Sequence, residues 1–276
     1  MNRNTPSKTK RTIVRIFLAL FFLLFITNYA VAQNQDTIPG SIANPEKALK
    51  RIHIQQYTKS GLKFWQDDFS GHWAGIDFGF NLLLNPDYSD YNTDFMENDV
   101  LRSNSAYFNV LQQSIGLQRN RNKIGLVTGL GLHLQSYRLN DDITIIRDEN
   151  SIIQPETLVT YKNQKSKLAL VSFMVPLLLE FQIPVNHYDN RIYFSAGAYG
   201  SLKMNSHTKV KYKLDQKEKL KVVDHFSLRD FHYGLMVRTG YRSINFFATY
   251  DLVPLFRDER GPELTPFTVG ITLIRF

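Results

Sequence analysis

Seven histidines are the first place to look for chemistry: His53, His72, His133, His187, His207, His225 and His232. No two of them form an H-x-x-x-H pair that would hold a metal from one helix face. Cysteine is absent, which removes thiolate nucleophiles, cysteine metal sites and disulfide scaffolds. His133 and His232 fall near carboxylates that can orient an imidazole for proton transfer or metal binding. A hydrogen-bonded structural histidine fits the same pattern and is the simpler reading. The acids Asp87, Asp90, Asp94, Glu97 and Asp99, with Asn92 and Asn98 among them, supply oxygen ligands for calcium. They lack the D-x-[DN]-x-[DN]-G spacing, so a solvated acidic loop is the plainer account. The stretch HTKVKYKLDQKEKLKVVDH (His207–His225) sets Lys209, Lys211 and Lys213 on alternate positions. That puts three ammonium groups on one face of an extended segment. Lys217, Lys219 and Lys221 form a second limb that can fold back on it. Such a face suits phosphates, and charged edges that discourage strand aggregation explain it equally well. No catalytic, cofactor or metal residue is assigned.

The elements that carry these residues are strands. In HWAGIDFGFNLLL (residues 72–84), Ala74, Ile76, Phe78, Phe80, Leu82 and Leu84 share one face. Gly75, Asp77, Gly79 and Asn81 share the other. The same alternation of period two recurs over residues 106–118, 123–139, 167–182, 191–204, 231–241, 244–252 and 265–276. This predicts eight strands, most of ten residues or more, which suits tilted strands crossing a bilayer. The connectors at 119–122, 184–190 and 241–243 are short. Those at 85–104, 140–166, 206–226 and 253–264 are long and polar. Short and long connectors therefore fall at opposite ends of the sheet.

Which face is wet follows from the glycines. Gly75, Gly79, Gly125, Gly129, Gly131, Gly197, Gly234 and Gly240 lie on the polar faces. Glycine adds nothing to a solvent face, but makes room in a narrow interior. Asp77, Glu180, Lys203, Arg238 and Asp251 then point inward. Buried charges require partners, so an interior network of ion pairs and hydrogen bonds is expected, with Arg238 or Lys203 meeting Asp77. The apolar faces meet lipid, and Tyr107, Phe181, Tyr241 and Tyr250 suit interfacial girdles. The inverse arrangement is a soluble barrel with an apolar cavity.

The first residues agree with export. Arg3, Lys8, Lys10, Arg11 and Arg15 precede the apolar run IFLALFFLLFI and an Ala30-Val31-Ala32 site. This predicts a signal peptide over residues 1–32, too short in its apolar core for a spanning helix. A periplasmic segment follows at 33–71 and the barrel at 72–276. Five of the 33 Lys and Arg residues leave with the leader, so 28 cations face 25 acids. The remaining balance gives no reason to expect nucleic acid as a partner.

FSGHWAGIDFGFN (Phe69–Asn81), VPLLLEF (Val175–Phe181) and LRDFHYGLMVRTGYRSINFFATYDLVPLF (Leu228–Phe256) resemble the PorT-like outer-membrane β-barrel family. The resemblance implies an all-β fold: an eight-stranded antiparallel up-and-down transmembrane barrel with short periplasmic turns and long extracellular loops. It implies a place in the Gram-negative outer membrane, and an accessory role in protein secretion from the family's namesake. The expected partners are outer-membrane lipid and lipopolysaccharide, the latter at Lys209, Lys211 and Lys213. The barrel assembly machinery and a secretion or envelope complex complete the expected set. The terminal Phe276 is the candidate assembly signal. The apolar residues Phe267, Val269, Ile271 and Leu273 stand in the opposite frame, so either a bulge near Arg275 or a looser signal is expected. The expected function is non-enzymatic. An enzyme at the outer rim and a narrow channel are the alternatives.

Overall fold

The computed structural model describes residues 69–275 apart from 90, 92–93, 119–122, 140–142, 159–164, 186–189 and 214–216. The side chains of 212, 213, 217 and 218 are also outside it. The leader, all but the end of the 33–71 segment, and Phe276 lie outside the described residues.

Among the described residues eleven strands stand where the sequence predicts eight: β1 (Gly75–Asp87), β2 (Asn104–Gly116), β3 (Ile124–Arg138), β4 (Ile143–Arg147), β5 (Ile153–Thr157), β6 (Lys165–Pro184), β7 (Arg191–Lys213), β8 (Lys217–Val223), β9 (Phe231–Tyr241), β10 (Ile244–Asp251) and β11 (Glu263–Arg275). The extra strands come from the long connectors. β4 and β5 pair as a separate hairpin, and β8 folds back on β7. The other strands pair antiparallel in the order β1, β2, β3, β6, β7, β9, β10, β11, and β11 returns to β1. The sheet is a ring.

The alternation sorts the side chains radially. Phe173, Leu177 and Phe181 on β6, Phe231, Tyr233, Leu235 and Val237 on β9, and Val269 and Ile271 on β11 point outward and are exposed. Such a belt exceeds the apolar patches of a soluble monomer. Asp77, Glu180, Arg238, Thr249 and Thr268 point inward and are buried.

Four register shifts interrupt the ladder; one lies between Leu84 and Asp87 at the end of β1, and the other three reset the alternation within the wall. Val110 is extra on β2 opposite β3, and Met204 is extra on β7 opposite β6. Leu273 is extra on β11: Ile274 pairs with Ile76, and Thr272 with Asp77. One inserted residue moves every later side chain to the other face. The bulge at Leu273 therefore joins the two apolar frames of the last strand, and both Leu273 and Ile274 are exposed. Tyr107 is a correction. It is buried inside, stacked on His133 with ring centroids 3.8 Å apart, and belongs to no girdle.

Two apolar clusters close the interior. Phe95, Met96, Leu139, Ile145, Ile153, Phe226, Leu255 and Phe256 pack together from the long connectors. Phe69, Trp73, Val127, Met174, Met236 and Phe247 pack within the ring.

Candidate functional site

The chain enters the ring before it becomes a strand. The sequence predicts a first strand from His72, but β1 starts at Gly75. Residues 69–74 instead run inside. Gln112 holds this segment, its Oε1 accepting from the backbone N–H groups of Trp73 and Ala74, both at 2.7 Å. Its Nε2 donates to the Gly71 carbonyl at 3.0 Å. Phe69 and Trp73 fill the interior beside the glycines of β3. A Cβ on Gly125 would stand 2.3 Å from the Phe69 ring, and one on Gly129 would stand 2.6 Å from the Trp73 indole nitrogen. These glycines are spaces occupied by two aromatic rings.

Arg238 and Asp77 meet at the centre, both almost wholly buried. Arg238 donates through Nη1 at 2.7 Å and Nη2 at 3.1 Å to the two carboxylate oxygens. Asn109 adds a third donor to Asp77 at 2.8 Å. The guanidinium also donates to Thr272 at 3.2 Å and lies 5.3 Å from the Trp73 ring centroid. This bidentate geometry suits a guanidinium far better than an ammonium.

Glu180 ties the entering segment to the wall. It accepts from the His72 backbone N–H at 3.1 Å, His72 Nδ1 at 2.6 Å, Gln182 at 2.6 Å and Ser195 at 2.8 Å. The imidazole of His72 stacks on Tyr193 at 4.1 Å. All of the carboxylate's usual acceptor capacity is used.

Nearer the long connectors, Asp251 accepts from Tyr199 and from His232 Nδ1, the latter at 3.0 Å. His232 Nε2 donates to the Arg229 carbonyl at 3.1 Å. Both ring nitrogens face protein oxygens, so the imidazole is held from two sides. His133 Nε2 is 3.1 Å from Ser105 Oγ, which itself donates to Asn81 Oδ1 at 2.6 Å. The hydroxyl's only proton is committed to Asn81, so His133 donates and does not activate Ser105 as a nucleophile. Among the described residues no group of three or more His, Asp and Glu side chains is arranged to hold a metal ion.

Lys203 departs from its expected partner. It pairs with Asp230 at 3.3 Å and donates to the Leu228 carbonyl at 2.9 Å. Asp230 also receives Arg257 at 2.7 Å. The residues brought together in the interior are thus Asp77 with Arg238, Glu180 with His72, and Asp251 with His232. Sequence reasoning missed His72 and Trp73 as interior groups, and Gln112, Asn109 and Tyr199 as the partners of Trp73, Asp77 and Asp251. A usable signal was that Phe69 and Trp73 share the inward frame of Gly75, Asp77 and Gly79.

Outside, β6 and β7 run past the barrel wall and β8 extends them as a ledge. Lys209 and Lys211 lie on its outward face; Lys213 ends β7 opposite Lys217. The inner side of the ledge and the β4–β5 hairpin wall a cleft of about 610 Å³, lined in part by Ile145, Ile146, Val210, Leu220 and Val222. Arg147 bridges it, donating to Asp224 at 2.8 and 3.1 Å. Partial burial raises the Asp224 carboxyl, but Arg147 and the His225 backbone N–H outweigh it and hold the group below its ordinary value. A depressed folded value stabilises the folded form above the unfolded pKa of about 4, and that gain disappears as pH falls through the lower folded value. Docking of the hairpin is therefore expected to weaken below about pH 4, by about 0.5 kcal/mol for so exposed a pair. Hydrogen exchange of the β4–β5 amides against pH checks this. The Asp224→Asn variant should lose the dependence.

Residues 64–257 match a family model described as "Outer membrane protein beta-barrel domain". No curated protein and no solved structure matches the chain.

Proposed function

The chain belongs to the outer membrane protein beta-barrel family, and from that premise we propose that it is a non-enzymatic barrel whose filled interior serves as a scaffold for surfaces at its rims. In this reading eight strands cross the bilayer. The short connectors face the periplasm and the long ones the exterior. The leader is cleaved near Ala32, and the segment between it and Phe69 remains in the periplasm. Phe276 is the signal offered to the barrel assembly machinery. The specific role is an accessory one in protein secretion, of the PorT-like kind.

The single observation that carries the scaffold reading is the filled interior. Trp73, Phe69, the Asp77–Arg238 pair and the Glu180 cluster occupy the space a solute would need. An eight-stranded barrel leaves an interior just wide enough for side chains, and here those side chains are bound to one another.

Planar-bilayer recording of the purified protein is the direct test. No large, steady open state is expected, and one would overturn the reading. A deletion strain addresses the role. Loss of secretion supports the accessory function, and intact secretion with envelope stress supports a structural one.

A further inference from the structure

The ledge carries a charge pattern that strand pairing makes explicit. Lys167 on β6 stands opposite Lys209 on β7, which stands opposite Lys221 on β8. One step further out, Lys165, Lys211 and Lys219 form a second row. Residues directly across an antiparallel pair share a face, as do residues two apart. All six ammonium groups therefore lie on one side. Among the described residues none of the six makes an ion pair. Like charges directly opposed destabilise a sheet, and these two rows oppose them four times.

Protection of a sheet edge accounts for only part of this. β8 is the edge, and lysine there discourages pairing with another chain. β7 has β6 and β8 on either side at Lys209 and Lys211, and β6 at Lys167 has β7 on one side and Arg138 of β3 on the other, so Lys167, Lys209 and Lys211 protect no edge. Their face has a second property. On β6 the positions that follow Lys165 and Lys167 on the same side are Ala169, Val171, Phe173, Val175 and Leu177. Phe173 and Leu177 are exposed. The lysines thus stand at the outer end of the apolar belt itself. Adjacent strands lie about 4.8 Å apart and residues two apart about 7 Å, so each row of three reaches about 10 Å across.

We propose that this face binds the headgroup of a multiply acylated, doubly phosphorylated saccharolipid of the outer leaflet, one phosphate to each row of lysines, with its acyl chains on the Ala169–Leu177 side of β6. The inference rests on the outer-membrane reading and extends the expected lipopolysaccharide contact from β7 to β6 and β8. Lys165 and Lys167 on β6 and Lys219 and Lys221 on β8 are the residues it adds. Ammonium–phosphate contacts at a membrane surface are screened by salt, and charge-assisted hydrogen bonds give them strength.

The test uses the full chain in lipid nanodiscs, with bound lipid counted by native mass spectrometry. The probes are bis-phosphorylated lipid A and the same lipid stripped of phosphate. The wild type should retain the phosphorylated form about tenfold over the stripped one, as several charge-assisted contacts imply. The variant K165Q/K167Q/K209Q/K211Q should lose that preference, and the corresponding four-arginine variant should keep it. Millimolar pyrophosphate should not displace the lipid. Equal retention by the glutamine variant, or equal retention of the stripped lipid, overturns the proposal. Displacement by pyrophosphate overturns the lipid as the source of the phosphate. Heat-modifiable gel migration verifies folding of each variant. Carbonate extraction of native membranes separates the two layers of argument: release of the wild type without detergent sinks the membrane reading, whereas retention with no lipid preference sinks only this inference.

Discussion

Arg238→Gln is expected to lower the unfolding free energy by about 3–5 kcal/mol, the usual consequence of leaving one member of a buried ion pair without its partner. Asp77 would keep the amide of Asn109 but lose two charged donors. It is almost wholly buried, so water cannot replace them cheaply. The loss should exceed that of ordinary surface changes by several-fold. The double variant Asp77→Leu with Arg238→Leu separates the pair's net worth from the damage of breaking it. Removing both charges should recover much of the stability, because a well-packed apolar replacement is often neutral or better. Urea unfolding in liposomes, followed by gel mobility, measures both. A loss below about 1 kcal/mol for Arg238→Gln, the size of a solvated pair, would mean that Asp77 is hydrated.

Trp73→Ala should be nearly as damaging, at about 3–5 kcal/mol. Its indole is buried inside the ring, packs within the inner apolar cluster and lies beside the Arg238 guanidinium. Removing it leaves a cavity flanked by Gly129 and Gly131, which have no side chains to collapse into it. The Trp73 and Ala74 backbone bonds to Gln112 remain available, so the segment should loosen before it leaves. Protease cleavage near Phe69 should therefore rise along with the fall in urea midpoint. An unchanged midpoint would show that the segment contributes no packing energy.

These two sites were legible to different degrees. That Asp77 and Arg238 point inward follows from period two, a property of neighbouring residues alone. That Arg238, and not Lys203, reaches Asp77 depends on where residues 225–230 fold. Asp230 and the Leu228 carbonyl are placed there by a long connector, and they hold Lys203 at the rim. The entering segment was misread because Gly71 and His72 look like the start of the alternation, although Trp73 is held by Gln112 from another strand. The bulges at Val110 and Met204 follow the same logic. Asn109 among apolar residues signals an irregularity, but its position is set by pairing with β3. β4 and β5 are five residues each and lie inside a polar connector, so they leave little periodicity to detect.

The bulged seam between β1 and β11 also carries a kinetic consequence. Gly75 pairs with Arg275, two hundred positions along the chain, and Asp77 meets Arg238 across 161. Hairpins such as β9–β10 close over a two-residue turn and need no distant partner. The seam and the central ion pair require nearly the whole chain to be in place. Loop closure over such separations is slow, and mean contact separation governs folding rate. Until β11 arrives, β1 is an open edge and Asp77 a carboxylate without its cation. The last hydrogen bonds to form are thus those whose absence leaves the most reactive intermediate, and the time spent before ring closure is the interval in which this chain is most exposed to misassembly.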